Sequence, residues 1–119
     1  MSAPAGLYNI VADQGSTLSR TIIWRDPAKK PILLNGYQGR MQVRPTVTST
    51  TVVLNLTTEN GGITLGETDG TITVYITDEV MTTVFEGQYA YDLELIGPDH
   101  IYAYKLLYGN FVVRPEVTR

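Results

Sequence analysis

The chain contains no cysteine, which excludes both a disulfide framework and a thiolate metal site. No apolar run approaches the roughly 18 residues that a membrane-spanning helix needs. The opening MSAPAGLYNI has neither the basic nor the apolar region of a signal peptide, so synthesis without such a leader is expected. Long runs of Ala, Leu, Glu and Lys are missing too, leaving little to build long helices from. The 9 basic and 12 acidic side chains give a formal charge of −3 and read as scattered along the chain. Nucleic-acid binding normally needs clustered Lys and Arg, so no nucleic-acid partner is expected.

What is present favours strands. Thr, Val, Ile and Tyr are abundant, and 119 residues suffice for one domain, residues 1–119, with a core of its own. LYNIVA opens a strand that ends at the turn signal Asp13-Gln14-Gly15. TLSRTIIWR alternates, placing Leu18, Ile22 and Trp24 on one face, with Arg20 an exception on that apolar side. DPAKKP is an exposed loop. In the strand after it Met41 and Val43 face opposite to Gln42 and Arg44, and Pro45 ends it or marks an edge. TTVVLNL, ITL and TITVYIT follow, separated by Glu59-Asn60-Gly61-Gly62 and ETDG; Ile72, Val74 and Ile76 point inward. Residues 78–85 break the alternation, and Thr77 or Asp78 would cap a single helical turn there. A last strand, NFVVRP, ends the chain. About eight short strands with frequent turns imply a sandwich.

The stretch YDLELIGPDHIYAYKLL reads as a hairpin. With Gly97-Pro98-Asp99-His100 as its loop, Ile96 faces Ile101, Tyr91 faces Leu106, Leu93 faces Tyr104 and Leu95 faces Tyr102. The opposite face pairs Asp92 with Lys105 and Glu94 with Ala103. Burying each large apolar side chain is worth about 1.5–3 kcal/mol, so the tyrosine row is expected to be core rather than a binding platform. Gly87-Gln88-Tyr89-Ala90-Tyr91 also has the spacing of a tyrosine corner, with Tyr91 where antibody domains carry cysteine.

Catalytic chemistry finds little to work with. His100, the one histidine, falls in a predicted surface turn. Asp92 and Glu94 share a strand face, where Lys105 is a simpler partner than a glycoside. Phosphate loops, nucleophile elbows and EF-hand spacings do not occur, and Asn55-Leu56-Thr57 is only a sequon by pattern. No enzyme activity, cofactor or metal is expected. Trp24, Tyr37, Tyr75 and Tyr108 are the aromatics that a carbohydrate-binding module would use.

The segment DPAKKPILLNGYQGRMQVR resembles a pattern in tailed-bacteriophage structural proteins, with Pro31-Ile32-Leu33-Leu34-Asn35-Gly36-Tyr37 at its centre. Leu33 and Asn35 stand where that pattern carries Asp and Thr. The order continues through Gly62-Ile63-Thr64-Leu65, Gly70-Thr71-Ile72, residues 87–95, Leu107-Tyr108-Gly109 and Val117-Thr118-Arg119. The chain is thus similar to the immunoglobulin-like N-terminal module of baseplate upper proteins. The resemblance implies a non-enzymatic virion component, assembled in the host cytoplasm through contacts with other virion proteins in a multi-copy symmetric assembly. Further domains follow the module in those proteins, whereas this sequence stops at Arg119, which favours an adaptor, collar, tail-surface or capsid-decorating role over receptor binding.

The expectation is therefore an all-β, immunoglobulin-like antiparallel sandwich with one short helical turn, acting through protein contacts and without a membrane partner. Residues 1–5 and 115–119 are expected to reach neighbours. Lys29 and Lys30 suit an acidic partner surface, and Tyr37, Tyr75, Arg114 and Arg119 complete the interface candidates.

Overall fold

The computed structural model describes residues 6–117. Nine strands and one helical turn follow in order: β1 (Gly6–Leu7), β2 (Ile10–Asp13), β3 (Leu18–Ile23), β4 (Gln38–Arg44), β5 (Leu54–Thr57), β6 (Ile63–Leu65), β7 (Thr71–Ile76), α1 (Asp78–Thr82), β8 (Gly87–Ile96) and β9 (Ala103–Arg114). One sheet runs β1-β9-β8-β4-β5, with β2 also on β9; the other runs β3-β7-β6. Strands β9-β8-β4 with β5 beside them, facing β3-β7-β6, make an immunoglobulin-like sandwich.

Period-two alternation places the core between the sheets. Ile72, Val74 and Ile76 of β7 face Met41 and Val43 of β4, Tyr91, Leu93 and Leu95 of β8, and Phe111 and Val113 of β9, all buried. The helical turn forms as expected: Thr77 is its N-cap and accepts from the Val80 amide, and Met81 enters the core. The tyrosine corner is present, with the Tyr89 hydroxyl donating to the Phe85 carbonyl at 2.7 Å. Arg20, the charged residue on the apolar side of β3, reaches across the open flank of the sandwich and donates to the Val11 carbonyl at 3.1 Å.

The antiparallel sandwich itself is as expected, and the detail it adds is that the short β1 and β2 run parallel to β9. Several expectations need correction. The first strand breaks at Tyr8 and Asn9, and Leu7 stays exposed although β1 pairs with β9. The closing strand is not NFVVRP alone but one long β9 that takes in both the returning arm of the hairpin and the C-terminal strand. Strand β4 ends at Arg44 before Pro45, yet it lies inside its sheet between β5 and β8.

The hairpin register also differs. Ile96 pairs with Ala103 and Leu95 with Tyr104, so the loop is two residues longer than a Gly97–His100 turn. Three local features cause this. The Gly97 amide donates to the Tyr102 carbonyl, the Asp99 side chain takes the Ile101 amide, and His100 adopts a left-handed φ of 61°. A bulge follows, since Leu93 pairs with Leu107 and Glu94 with Lys105, leaving Leu106 as the extra residue. Tyr91, Leu93 and Leu95 are core, Tyr104 and Leu106 are half-buried, and Tyr102 is 59% exposed. Asp92 and Lys105 do meet, as a 3.2 Å ion pair diagonal to the ladder.

Candidate interaction surfaces

Strand direction gives the sandwich two ends. At one end lie the β3–β4 loop, the β6–β7 turn and the β8–β9 loop. They touch: a Cβ on Gly36 would meet the Pro98 ring at 3.1 Å, and one on Gly70 would strike the Trp24 carbonyl at 2.8 Å. The backbone carries the same joint, because Trp24 N donates to the Gly70 carbonyl and Leu34 N to the Glu67 carbonyl, both at 2.9 Å. The other end carries α1, Phe85, Glu86 and the chain after β9, joined to the β2–β3 turn by Gln14, which donates to the Val84 carbonyl at 3.0 Å.

At the first end Lys29 and Lys30 are exposed on a small closed loop. Asp26 organises it: its carbonyl takes the Lys29 amide at 2.8 Å and its carboxylate the Lys30 amide at 2.9 Å. The Asp26 amide in turn donates to the Lys30 carbonyl, and Lys29 sits at a left-handed φ of 66°. The two lysines are thus presented on a fixed backbone.

Beneath them an aromatic chain runs outward. Trp24 meets Tyr37 edge-on, with ring centroids 6.1 Å apart, and Tyr104 at 5.7 Å; Tyr104 leads to Tyr102 at 6.3 Å. Tyr37 is half-buried, and burial together with Tyr104 and Asp99 pushes its phenol above the ordinary tyrosine range. Tyr37 and Trp24 therefore pack on each other instead of offering a free stacking face. The other sugar candidates sit apart, Tyr75 on the three-stranded sheet and Tyr108 on the six-stranded one. Tyr75 does line a groove of about 450 Å³ between β5 and β7, with Val53, Leu56 and Val80. A second groove, of about 570 Å³, runs beside Tyr108, Leu7, Val47 and Ala90.

Arg114 is exposed but already paired within the chain, donating to Asp13 at 2.7 Å and 3.1 Å. Its guanidinium holds the Asp13 carboxyl below the usual range. Arg119 and residues 1–5 lie outside the described residues. Three large apolar side chains that the sequence does not single out are strongly exposed on loops: Phe85 at 80%, Ile101 at 73% and Leu33 at 63%. Nothing in strand periodicity singles them out, since all three sit where alternation has already broken. Charge is also less scattered than it reads. Six basic residues fall between Arg20 and Arg44 with Asp26 as the single acid among them, and no Lys or Arg occurs from there to Lys105. Among the described residues no group of three or more His, Cys, Asp or Glu is placed to hold a metal ion.

Fold and surfaces together define an immunoglobulin-like β-sandwich with large apolar side chains exposed on loops at both ends as well as on its strands. Compared with known protein families and with curated proteins, the chain matches none.

Proposed function

We propose that this protein is a structural component of a tailed-phage virion, acting through protein–protein contacts in the tail, baseplate, collar or fibre-attachment region. The resemblance to phage structural modules is the reason for the virion. The reason for contacts as the mode of action is the placement of Phe85, Ile101, Tyr102 and Leu33 on end loops, exposed to solvent. Phe85 stands at one end of the sandwich and Ile101, Tyr102 and Leu33 on loops at the other, so each end offers apolar side chains to a partner. A capsid-decorating role would use the same contacts elsewhere on the particle.

A carbohydrate-binding module would need its free aromatic faces in one patch, whereas Tyr75 and Tyr108 lie on different sheets. The test is to purify particles from host cells producing this protein and locate it by mass spectrometry and antibody labelling. A fixed copy number per particle, held by other virion proteins, is expected, and the label's position separates tail from capsid. Absence from particles, or polysaccharide binding lost on changing Trp24 or Tyr75, overturns the reading.

A further inference from the structure

We propose that Asn35 is a site of spontaneous deamidation, the place where this protein ages chemically, and that the fold protects Asn60, which is also followed by glycine. The inference goes beyond the virion reading and rests on no part of it.

Three steps of the chain have the sequence in which a side-chain carbonyl is open to attack by the next main-chain nitrogen: Asn35-Gly36, Asn60-Gly61 and Asp69-Gly70. Glycine in second place lacks the Cβ that would crowd the attack. At the first step the Gly36 nitrogen bonds to Asn35 Cγ and loses its proton. Asn35 Nδ2 takes up a proton and leaves as ammonia, and an imide ring remains. Water then adds to one imide carbonyl and breaks its bond to the Gly36 nitrogen. Opening at Cγ gives aspartate; opening at the main-chain carbonyl of residue 35 gives isoaspartate, which lengthens the chain by one carbon. Water is the only co-reactant, and nothing is oxidised or reduced.

Exposure does not separate the two asparagines, since both are exposed. Nor does the nucleophile, because the Gly36 and Gly61 amides both lack a main-chain acceptor among the described residues. The side chains do differ. Asn60 Oδ1 accepts from the Thr57 and Gly62 amides, both at 2.9 Å, and Nδ2 donates to the Asn55 carbonyl at 2.8 Å. Asn60 thereby stands in for a neighbouring strand along the free edge of β5. Its Cγ cannot swing onto the Gly61 nitrogen without giving up three bonds. Asp69 is held in a similar way, Oδ1 accepting from Thr71 Oγ1 at 2.7 Å and from the Thr71 amide at 3.1 Å. The Thr71 hydroxyl above all keeps the Asp69 carboxyl below its usual range, so it stays ionised and is a poor target for a nucleophile.

Asn35 has no such restraint. Its side chain makes no hydrogen bond among the described residues, and Gly36 takes a left-handed φ of +79°. The turn is closed by a single bond, from Tyr37 N to the Leu34 carbonyl at 3.1 Å. Opening that one bond, a small local fluctuation, frees both reacting groups. The product falls on the β3–β4 loop, where Leu34 is buried and Leu33 exposed. Aspartate adds a negative charge to this loop, and isoaspartate inserts a carbon between Leu34 and Tyr37 and opens their turn.

Ageing the folded full chain in mildly alkaline buffer tests this, read by peptide mass mapping and by isoaspartyl methyltransferase labelling. The Asn35 peptide is expected to convert at least about tenfold faster than the Asn60 peptide, since three side-chain bonds together are worth that factor or more. In urea the two should convert at similar rates, because the fold no longer holds either. N35S is expected to lose the early acidic forms with an unchanged melting curve. Equal rates at the two sites in the folded chain overturn the inference, as does an Asn35 that stays intact while the unfolded chain converts it. Early acidic forms that persist in N35S, or a gap between the sites that persists in urea, overturn it as well.

Discussion

The Tyr89 hydroxyl donates to the Phe85 carbonyl at 2.7 Å, across the bend that leads from α1 into β8. One bond thus closes the corner of the sandwich and fixes the backbone from which the Phe85 ring projects into solvent. Tyr89→Phe keeps the ring, which packs against the core, and removes the bond. A loss of about 0.5–1.5 kcal/mol is expected in urea unfolding with the slope unchanged.

The shifted hairpin register separates two residues that look alike in sequence. Leu93→Ala empties a fully buried site and should cost about 2–5 kcal/mol. Tyr102→Ala removes an exposed ring and should stay within about 0.5 kcal/mol of wild type. Equal large losses at both positions would restore the register in which Leu95 faces Tyr102.

Strand identity was legible because burial imposes period two, so Ile72-Val74-Ile76 and Met41-Val43 announce their faces directly. The Thr77 cap and the Gly87–Tyr91 spacing were legible for the same reason: each is a local pattern with a local physical cause. Register was not. Ile101 and Tyr102 are as apolar as core residues, and only the Asp99 and Gly97 hydrogen bonds turn them outward. The extra residue at Leu106 leaves no mark in the alternation. The parallel docking of β2 on β9 joins residues a hundred positions apart, a choice no local pattern encodes. The interface candidates split likewise: the lysine loop was visible from composition, while the tethering of Arg114 by Asp13 depends on that same long-range pairing.

Tyr91 links the core to the N-terminal segment, its hydroxyl donating to the Tyr8 carbonyl. Burial, with Tyr8 adding to it, pushes its phenol up to about 12 from an ordinary value near 10. The folded state therefore holds this proton more tightly than the unfolded chain. The resulting stability is complete below about pH 10 and is lost as pH rises towards 12. Stability measured across that window should fall by about 2–3 kcal/mol, and Tyr91→Phe should flatten the slope. An unchanged slope in the variant would assign the alkaline loss to other groups.

Two glycines test how far the end loops depend on backbone contact. Gly61 has a φ of +84° with open space around a would-be Cβ, so Gly61→Ala should cost only the left-handed strain, about 1–2 kcal/mol. Gly70 has a φ of +70° and would press its Cβ to 2.8 Å from the Trp24 carbonyl, which accepts from Ile32. Gly70→Ala should therefore cost clearly more than Gly61→Ala in the same thermal assay, because it also forces the β3–β4 loop away.

Cross-linking mass spectrometry of purified particles tests the functional account most directly. Amine-reactive linkers are expected to join Lys29 and Lys30, both exposed, to other virion polypeptides. Particles that lack the chain, or contain it with no cross-links from these lysines, would contradict the account.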